Sequence, residues 1–141
     1  MSWMLGETQL TSLAHRKCVP CDGKTPPITK EDAQKYLQEL PGWTLNDKQI
    51  DKEFKFKAYL DGVEFAYSLG KTAENEDHHP DILIKWRRVK VTLTTHAIKG
   101  LSENDFIMAA KAEEIYRKLQ FRHIALLLYE KRRSKVIKNL S

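Results

Sequence analysis

The sequence predicts an α+β fold, in which a four-stranded antiparallel sheet carries helices packed on one face. Three helix patterns alternate with two pairs of short strand patterns, and the strand patterns alternate apolar with polar residues. Hairpins between helices, rather than single strands, indicate antiparallel pairing. A chain of 141 residues is long enough to bury one core without disulfides or metals.

The first two helices are predicted from their capping residues and apolar stripes. The first has Thr29 as its N-cap and Asp32 at the third helical position. The second begins near Asp61, which forms a capping box with Glu64. Its expected inward face consists of Val63, Ala66, Tyr67, Gly70 and Ala73.

The two hairpins are predicted from pairs of alternating runs. The first pair turns at Asn46-Asp47. In the second, "DILIKW" and "VKVTLTT" are separated by Arg87-Arg88, which places Trp86 opposite Val89. Trp86 is therefore expected in the core, packed against Val89.

The third helix is predicted to start at Ser102, with Asp105 at the third position as a cap. Its apolar stripe consists of Met108, Ala109, Ala112, Ile115, Tyr116 and Leu119. The stretch "HIALLLY", residues 123–129, fits either a continuation of this helix or a short buried strand.

Three parts are expected along the chain: a partly ordered N-terminal arm over residues 1–27, a main domain over 28–121, and a C-terminal extension over 122–141 with a basic tail. No apolar run approaches the ~20 residues that span a bilayer. The N-terminus resembles neither a secretory signal nor a transit peptide. The expectation is a soluble, cytoplasmic protein with no membrane partner.

Positive charge is concentrated at the C-terminus. The net charge is +5, and much of the excess lies in "YEKRRSKVIKN", residues 129–139. Such a run can contact nucleic acid or another acidic partner. It lacks interleaved aromatic residues and any known DNA-binding motif, so a solvated face is the preferred interpretation and nucleic acid is not expected.

The two cysteines, Cys18 and Cys21, form a Cys-x-x-Cys pair in the arm. Such a pair can be redox-active or half of a zinc site. No second pair exists, His15 is the only other plausible ligand nearby, and the surrounding residues read as loop. A pair without an essential role is the preferred interpretation.

The stretch "ENEDHHPDILIKW", residues 74–86, is the strongest functional signal. His78 and His79 follow three carboxylates, and a carboxylate beside an imidazole favours its protonated form. Continued pairing of the second hairpin places His79 opposite His96, with Cβ atoms ~5 Å apart. His78 and Glu74 are then expected beside them, at one end of the hairpin.

Three converging histidines suit two kinds of chemistry. They can hold zinc or another divalent metal, or they can transfer protons directly at neutral pH. Adjacent residues of an extended chain point to opposite faces, which makes His78 and His79 awkward ligands of one metal but natural groups for two sides of a flat substrate. Metal-free acid–base chemistry is therefore preferred. Acyl transfer and nucleotide hydrolysis are disfavoured, because no obvious nucleophile or Gly-rich phosphate loop accompanies the cluster.

The spacing of these residues resembles the signature of the pterin-4a-carbinolamine dehydratases (4a-hydroxytetrahydrobiopterin dehydratases). The resemblance covers roughly residues 27–120, and its matching positions are Glu74, His78, His79, Pro80, Trp86, His96 and Asp105. The "CVPCDG" arm also resembles N-terminal extensions of some members. The basic tail is longer than the family's usual ending.

The resemblance implies a four-stranded antiparallel sheet backed by helices, and association as homodimers or homotetramers. It also implies a hydro-lyase reaction, in which a 4a-hydroxytetrahydropterin loses water to give the quinonoid dihydropterin. This reaction recycles the cofactor of aromatic amino acid hydroxylases and needs no metal or other cofactor. Some members also act as dimerisation cofactors of a transcription factor, so a protein-binding module is the alternative function.

The resemblance also suggests roles for individual residues. His78 and His96 form the acid–base pair, and His79 binds and orients the pterin. Glu74 either accepts hydrogen bonds from the amino-pyrimidine edge of the pterin or holds a histidine tautomer. Thr95 and Ala97 offer backbone contacts beside His96. The remaining positions are substrate-binding (Asp77, Pro80) or structural (Asp105, Trp86).

Overall fold

The computed structural model describes residues 12–140, so the first eleven residues of the predicted arm lie outside the described part. Helices and hairpins alternate: α1 (Lys30–Gln38), β1 (Thr44–Asn46), β2 (Gln49–Lys55), α2 (Tyr59–Glu76), β3 (Asp81–Lys85), β4 (Arg88–Leu93) and α3 (Glu103–Leu140). A short 3-10 helix, His96–Ile98, follows β4. The strands form one antiparallel sheet in the order β1-β2-β4-β3. The predicted fold class is confirmed.

One face of the sheet carries the core. The alternating residues Ile50 and Phe54 of β2 and Val89 of β4 are completely or almost completely buried. The ring of Phe54 lies 4.7 Å from that of Phe65 in α2 and 5.1 Å from that of Tyr116 in α3, measured between centroids. Both long helices therefore pack on the apolar face that the alternation predicts.

α1 begins as predicted. The Thr29 hydroxyl accepts a hydrogen bond from the Asp32 N–H at 3.2 Å and so caps the helix. Ala33 is buried, and the Tyr36 ring stacks on Phe106 of α3 with centroids 4.6 Å apart. This contact fastens α1 to α3.

α2 begins at Tyr59, two residues before the predicted start, and its N-cap makes no side-chain hydrogen bond. The predicted capping box at Asp61 is therefore wrong. The buried face is also rotated, because Phe65 and Leu69 are fully buried whereas Tyr67 is 67% exposed. The two larger apolar side chains decide which face of this helix packs on the sheet, since they bury the most area.

The second hairpin turns one residue earlier than predicted. Its turn residues are Trp86 and Arg87, so Ile84 lies opposite Val89 instead of Val91. Arg87 adopts a left-handed φ of 58°, which allows the two-residue turn to close. The predicted core position of Trp86 is wrong, because the turn carries it out of the sheet and leaves it 71% exposed. The Arg87 guanidinium lies 4.5 Å from its ring centroid, within range of a cation–π contact.

α3 continues without a break through residues 123–129, so this stretch is helical rather than a strand. The helix also crosses the boundary predicted between residues 121 and 122. Every residue from 124 to 140 is exposed. Within residues 12–140, no helix is both long enough and apolar enough to cross a membrane.

The described part of the arm packs against the end of α2 and the start of α3. The Cys18 N–H donates a hydrogen bond to the Glu76 carboxylate at 2.8 Å. The side chain of Asn104 makes two hydrogen bonds with the backbone of Val19, accepting from its N–H at 2.9 Å and donating to its carbonyl at 2.7 Å. These contacts bring the arm close to the His78-His79 turn.

Candidate functional site

The end of α2 sets the directions of the two adjacent histidines. Asp77 adopts a left-handed conformation, and its N–H bonds to the carbonyls of Ala73 and Glu74. The His78 N–H then bonds to the Ala73 carbonyl at 3.2 Å, which completes a common helix-ending arrangement. This turn leaves the His78 side chain only 11% exposed and that of His79 54% exposed. The two imidazoles therefore occupy different environments.

Asp105 is the buried centre of the site. One carboxylate oxygen lies 2.7 Å from Nε2 of His78, and the other accepts hydrogen bonds from the Thr95 hydroxyl at 2.7 Å and the Ser102 N–H at 2.9 Å. A single, fully buried carboxylate thus joins the end of α2, the segment after β4 and the first turn of α3. Its predicted capping role is confirmed at Ser102. The contact with His78 is an additional role that helix capping does not predict.

His79 is held by a second carboxylate at the surface. Its Nε2 lies 2.6 Å from Oε1 of Glu74, one turn back in α2. The Glu74 side chain is 78% exposed, so this pair lies in water, unlike the pair of His78 and Asp105. Of the two roles expected for Glu74, the contact is consistent with holding a histidine tautomer.

His96 is carried by a different element from the other two histidines. It is exposed at the start of the 3-10 helix and lines a cavity of about 550 Å³ together with Thr94, Lys48 and Lys99. Among the described residues, no hydrogen bond joins it to His78 or His79. The predicted placement of His79 opposite His96 is wrong, because the strand pairing is shifted by two residues and ends at Asp81 and Thr92.

The other predicted substrate-binding residues lie in the segment after β4 and at the end of α2. The Thr95 N–H donates to the Gly100 carbonyl, so it cannot offer the expected backbone contact. The Thr95 carbonyl accepts from the N–H groups of Ile98 and Gly100. The buried Thr95 hydroxyl instead supports Asp105. Ala97 and Asp77 are exposed, and Pro80 is half-buried before β3.

A second group of charges lies behind the site, where the arm meets α2. Burial, followed by the negative charge of Glu76, raises the pKa of the Cys18 thiol to about 12. Burial opposes ionisation of Glu76 itself, but the Cys18 N–H and the Lys111 ammonium outweigh it and lower the pKa of that carboxyl. Lys111 lies 3.2 Å from Glu76 and also donates to the Ala14 carbonyl at 2.7 Å. This group holds the arm in place.

Metal ligands do not cluster in the described part of the chain. Within residues 12–140, no group of three or more His, Cys, Asp or Glu side chains could hold a metal ion. Cys18 and Cys21 are both free thiols and half-buried.

Sequence reasoning missed the support of His78 by Asp105. One signal was present: Asp105 stands immediately before the buried apolar run Phe106–Ala110. A carboxylate at the edge of a buried run needs a hydrogen-bonding partner in the interior. The role of Asn104 in holding the arm had no comparable signal, because an Asn in the first turn of a helix is ordinarily exposed.

The chain is similar to known proteins over this region. A family model described as "Pterin 4 alpha carbinolamine dehydratase" matches residues 26–115. Two proteins named "Putative pterin-4-alpha-carbinolamine dehydratase" are similar to it over 107 residues. The protein of Alkaliphilus metalliredigens is 42% identical, and the alignment covers 74% of this chain and 96% of the relative. The protein of Nitrosomonas eutropha is 46% identical, and the alignment covers 75% of this chain and 95% of the relative. The crystal structure of a "transcriptional coactivator/pterin dehydratase from Brucella Melitensis" is 35% identical with a TM-score of 0.62, covering 64% of this chain and 98% of that one.

Proposed function

Because the chain belongs to the pterin 4 alpha carbinolamine dehydratase family, we propose that it removes water from a 4a-hydroxytetrahydropterin by histidine acid–base catalysis. The product is the quinonoid dihydropterin, which returns to the cofactor cycle of aromatic amino acid hydroxylases. The chemistry uses imidazoles alone, without a metal or other cofactor. The observation that carries the proposal is the hydrogen bond between His78 and the fully buried Asp105.

Asp105 prepares His78 for proton transfer. A carboxylate only accepts hydrogen bonds, so Nε2 of His78 carries the proton that faces Asp105. Nδ1, on the other edge of the ring, is then the atom that accepts or donates the transferred proton. The buried carboxylate fixes the orientation of the ring, as in other carboxylate–imidazole pairs of enzymes.

The dehydration needs one proton delivered and one removed. An imidazolium donates a proton to the 4a-hydroxyl while the C–O bond breaks, and water leaves with the electron pair of that bond. A neutral imidazole takes the proton that the pterin ring loses, so the protein exchanges no electrons and its net proton count is unchanged. Each well-placed acid or base contributes ~10²–10⁴ in rate.

We assign the two proton transfers to His78 and His96. Asp105 connects the segments that carry the two residues. It holds His78 directly, and it accepts the hydroxyl hydrogen of Thr95, which precedes His96 in the chain. His96 is exposed and lines an open cavity, so it is accessible to a substrate that enters from solvent.

His79 is proposed to bind and orient the pterin. Its ring is exposed and held by Glu74, so one edge is free to meet a polar group of the substrate. Asp77, Pro80 and Ala97 border the same turns and complete the proposed substrate-binding set.

We also propose that subunits associate as homodimers or homotetramers. β3 is an edge strand, and its side chains Leu83 and Ile84 are 54% and 39% exposed. An exposed edge with apolar side chains is a ready surface for strand pairing. Sedimentation velocity of the purified protein tests the proposal, and a monomer at micromolar concentration would contradict it.

The proposed reaction is tested with freshly generated 4a-hydroxytetrahydropterin in the presence of a chelator. We expect wild type to accelerate dehydration over buffer, and His78→Ala and His96→Ala to lower kcat by about 10²-fold or more. His123→Ala is the matched control, since this histidine lies on α3 away from the proposed site, beside Phe56 and Leu126. A wild-type rate equal to that of buffer would refute the enzyme proposal.

A protein-binding role is the second candidate, favoured by the coactivator function in the name of the Brucella relative. Such a role uses the outer surface rather than the imidazoles. His78→Ala should therefore abolish dehydration and leave binding of a transcription-factor partner intact, as measured by co-purification of the two expressed proteins.

A further inference from the structure

The last part of α3 is additional to the family domain. The family match ends at residue 115, whereas α3 continues to Leu140. The two bacterial relatives align with only about three quarters of this chain, although the alignments include 95–96% of the relatives' own lengths. The dehydratase fold therefore does not require the final turns of this helix, and their composition needs another explanation.

One face of this segment is apolar and open to solvent. At about 100° per residue, Tyr129, Val136, Ile137 and Leu140 fall within an arc of roughly 100° on the helix surface. Their exposed fractions are 61%, 57%, 56% and 82%. Four large apolar side chains aligned on one exposed face form an unpartnered hydrophobic stripe.

The opposite face is strongly basic. Lys131, Arg132, Lys135 and Lys138 fall within an arc of roughly 120°, whose centre lies about 150° around the helix from that of the apolar stripe. Glu130 is the only acidic residue between 122 and 140. Arg133 is the one basic residue on the apolar side. Residues 129–140 thus form a basic amphipathic helix.

We propose that residues 129–140 bind the surface of a bilayer that contains anionic lipid. The helix would lie in the interfacial plane, with the apolar stripe among the acyl chains and the basic face at the headgroups. The sequence expectation of no membrane partner rested on the lack of a spanning run, and surface binding needs no such run.

Other partners use only part of this surface. Nucleic acid would pair with the basic face but leave the apolar stripe in water. A second copy of the same helix would cover the stripe but bring like charges together. An anionic bilayer satisfies both faces at once, which is why the pattern favours it.

The experiment measures co-sedimentation of the full-length protein with vesicles of phosphatidylcholine alone or with a quarter of phosphatidylglycerol. We expect binding to the anionic vesicles that weakens as salt is raised, and little binding to the neutral ones. Arg132→Glu/Lys135→Glu and Val136→Gln/Ile137→Gln should each lower the partition coefficient at least tenfold. All four positions are exposed, and circular dichroism verifies that the helix is retained.

Lys24→Glu/Lys30→Glu is the matched control, because it makes the same change of net charge at exposed positions outside α3. It should retain vesicle binding within about twofold. Equal losses in the control, unchanged binding in the Val136→Gln/Ile137→Gln variant, or no binding to anionic vesicles would each overturn the proposal. Equal affinity of wild type and the Val136→Gln/Ile137→Gln variant for single-stranded RNA, without vesicle binding, would assign the segment to nucleic acid instead.

Discussion

Two carboxylates each hold one histidine in this protein, and they differ in how deeply they are buried. Asp105 is fully buried and accepts hydrogen bonds from three donors, whereas Glu74 is 78% exposed and has one histidine partner. A buried carboxylate is shielded from solvent, so its field acts strongly on the neighbouring imidazole. We therefore expect the two positions to respond very differently to loss of charge.

Asp105→Asn should lower kcat about tenfold or more and destabilise the fold by about 1–3 kcal/mol. The new amide nitrogen would face a group that now donates a hydrogen bond to a carboxylate oxygen. His78 would also lose the negative charge next to its Nε2. Turnover and urea unfolding of the variant measure the two effects. Full stability with lost turnover would show that Asp105 does not support the fold.

Glu74→Gln is the matched comparison at the surface. Exposed ion pairs contribute about 0–1 kcal/mol, so we expect a change of less than about threefold in kcat and little change in stability. An effect as large as that of Asp105→Asn would mean that Glu74 contacts the substrate directly. KM should then rise together with the loss of rate.

We expect Cys18 to make the stability of the fold depend on pH in the alkaline range. Its pKa is about 12 in the folded protein, so above its ordinary value of 9.0 the unfolded chain loses a proton that the folded chain keeps. The free energy of unfolding should therefore fall as pH rises from about 9 towards 12. Urea unfolding of wild type and Cys18→Ser across this range measures the effect, and the variant should show a smaller decrease. Burial also raises the pKa values of Tyr36 and Tyr116, so part of the dependence should remain.

At the scale of elements, Asn104 is one of the side chains that connect the arm to α3. Asn104→Ala removes both hydrogen bonds to Val19 and should free the arm for cleavage. We expect trypsin to cut after Lys17 and Lys24 several-fold faster than in wild type, because proteolysis follows local opening. Asn139→Ala, at an exposed position of α3, is the control. Equal cleavage rates in the two variants would show that other contacts hold the arm.

The hairpins show how far an element can be predicted from its residues. The alternation of apolar and polar residues correctly predicts strands and faces, since Val89, Val91 and Leu93 are all buried. The position of the second turn was not predictable, because neither Trp-Arg nor Arg-Arg contains a residue that favours a left-handed backbone. A turn displaced by one residue changed the partner of every residue in β3, and with it the expected neighbour of His79.

For the whole molecule, the fold class and the local grouping of His78, His79 and Glu74 were predictable, while the support of His78 and the pairing of His79 with His96 were not. His78, His79 and Glu74 lie within six residues of one another, so local structure alone brings them together. The contact between His78 and Asp105 joins residues 27 positions apart and depends on how α3 packs against the end of α2. Local patterns specify Asp105 as a cap and indicate that it needs an interior partner, but they do not identify His78 as that partner.

The exposed end of α3 should contribute little to stability. Residues 124–140, the described part of what a chain ending after residue 123 would lack, are all exposed. We expect the free energy of unfolding of that shorter chain to remain within about 0.5 kcal/mol of wild type, and its dehydration rate to be unchanged. Urea unfolding and the pterin assay measure both. A clear loss of stability would show that this segment packs within an oligomer.

The continuity of α3 has a mechanical consequence. Asp105 stands in the first turn of the helix and Leu140 in its last, so at 1.5 Å per residue a single rod of about 50 Å connects them. Because the proposed contact runs along the side of residues 129–140, a surface that holds this side also fixes the rotation of the whole helix about its axis, and with it the direction in which Asp105 and His78 face. The helix would then act as a rigid connection that keeps the candidate site in one orientation relative to that surface.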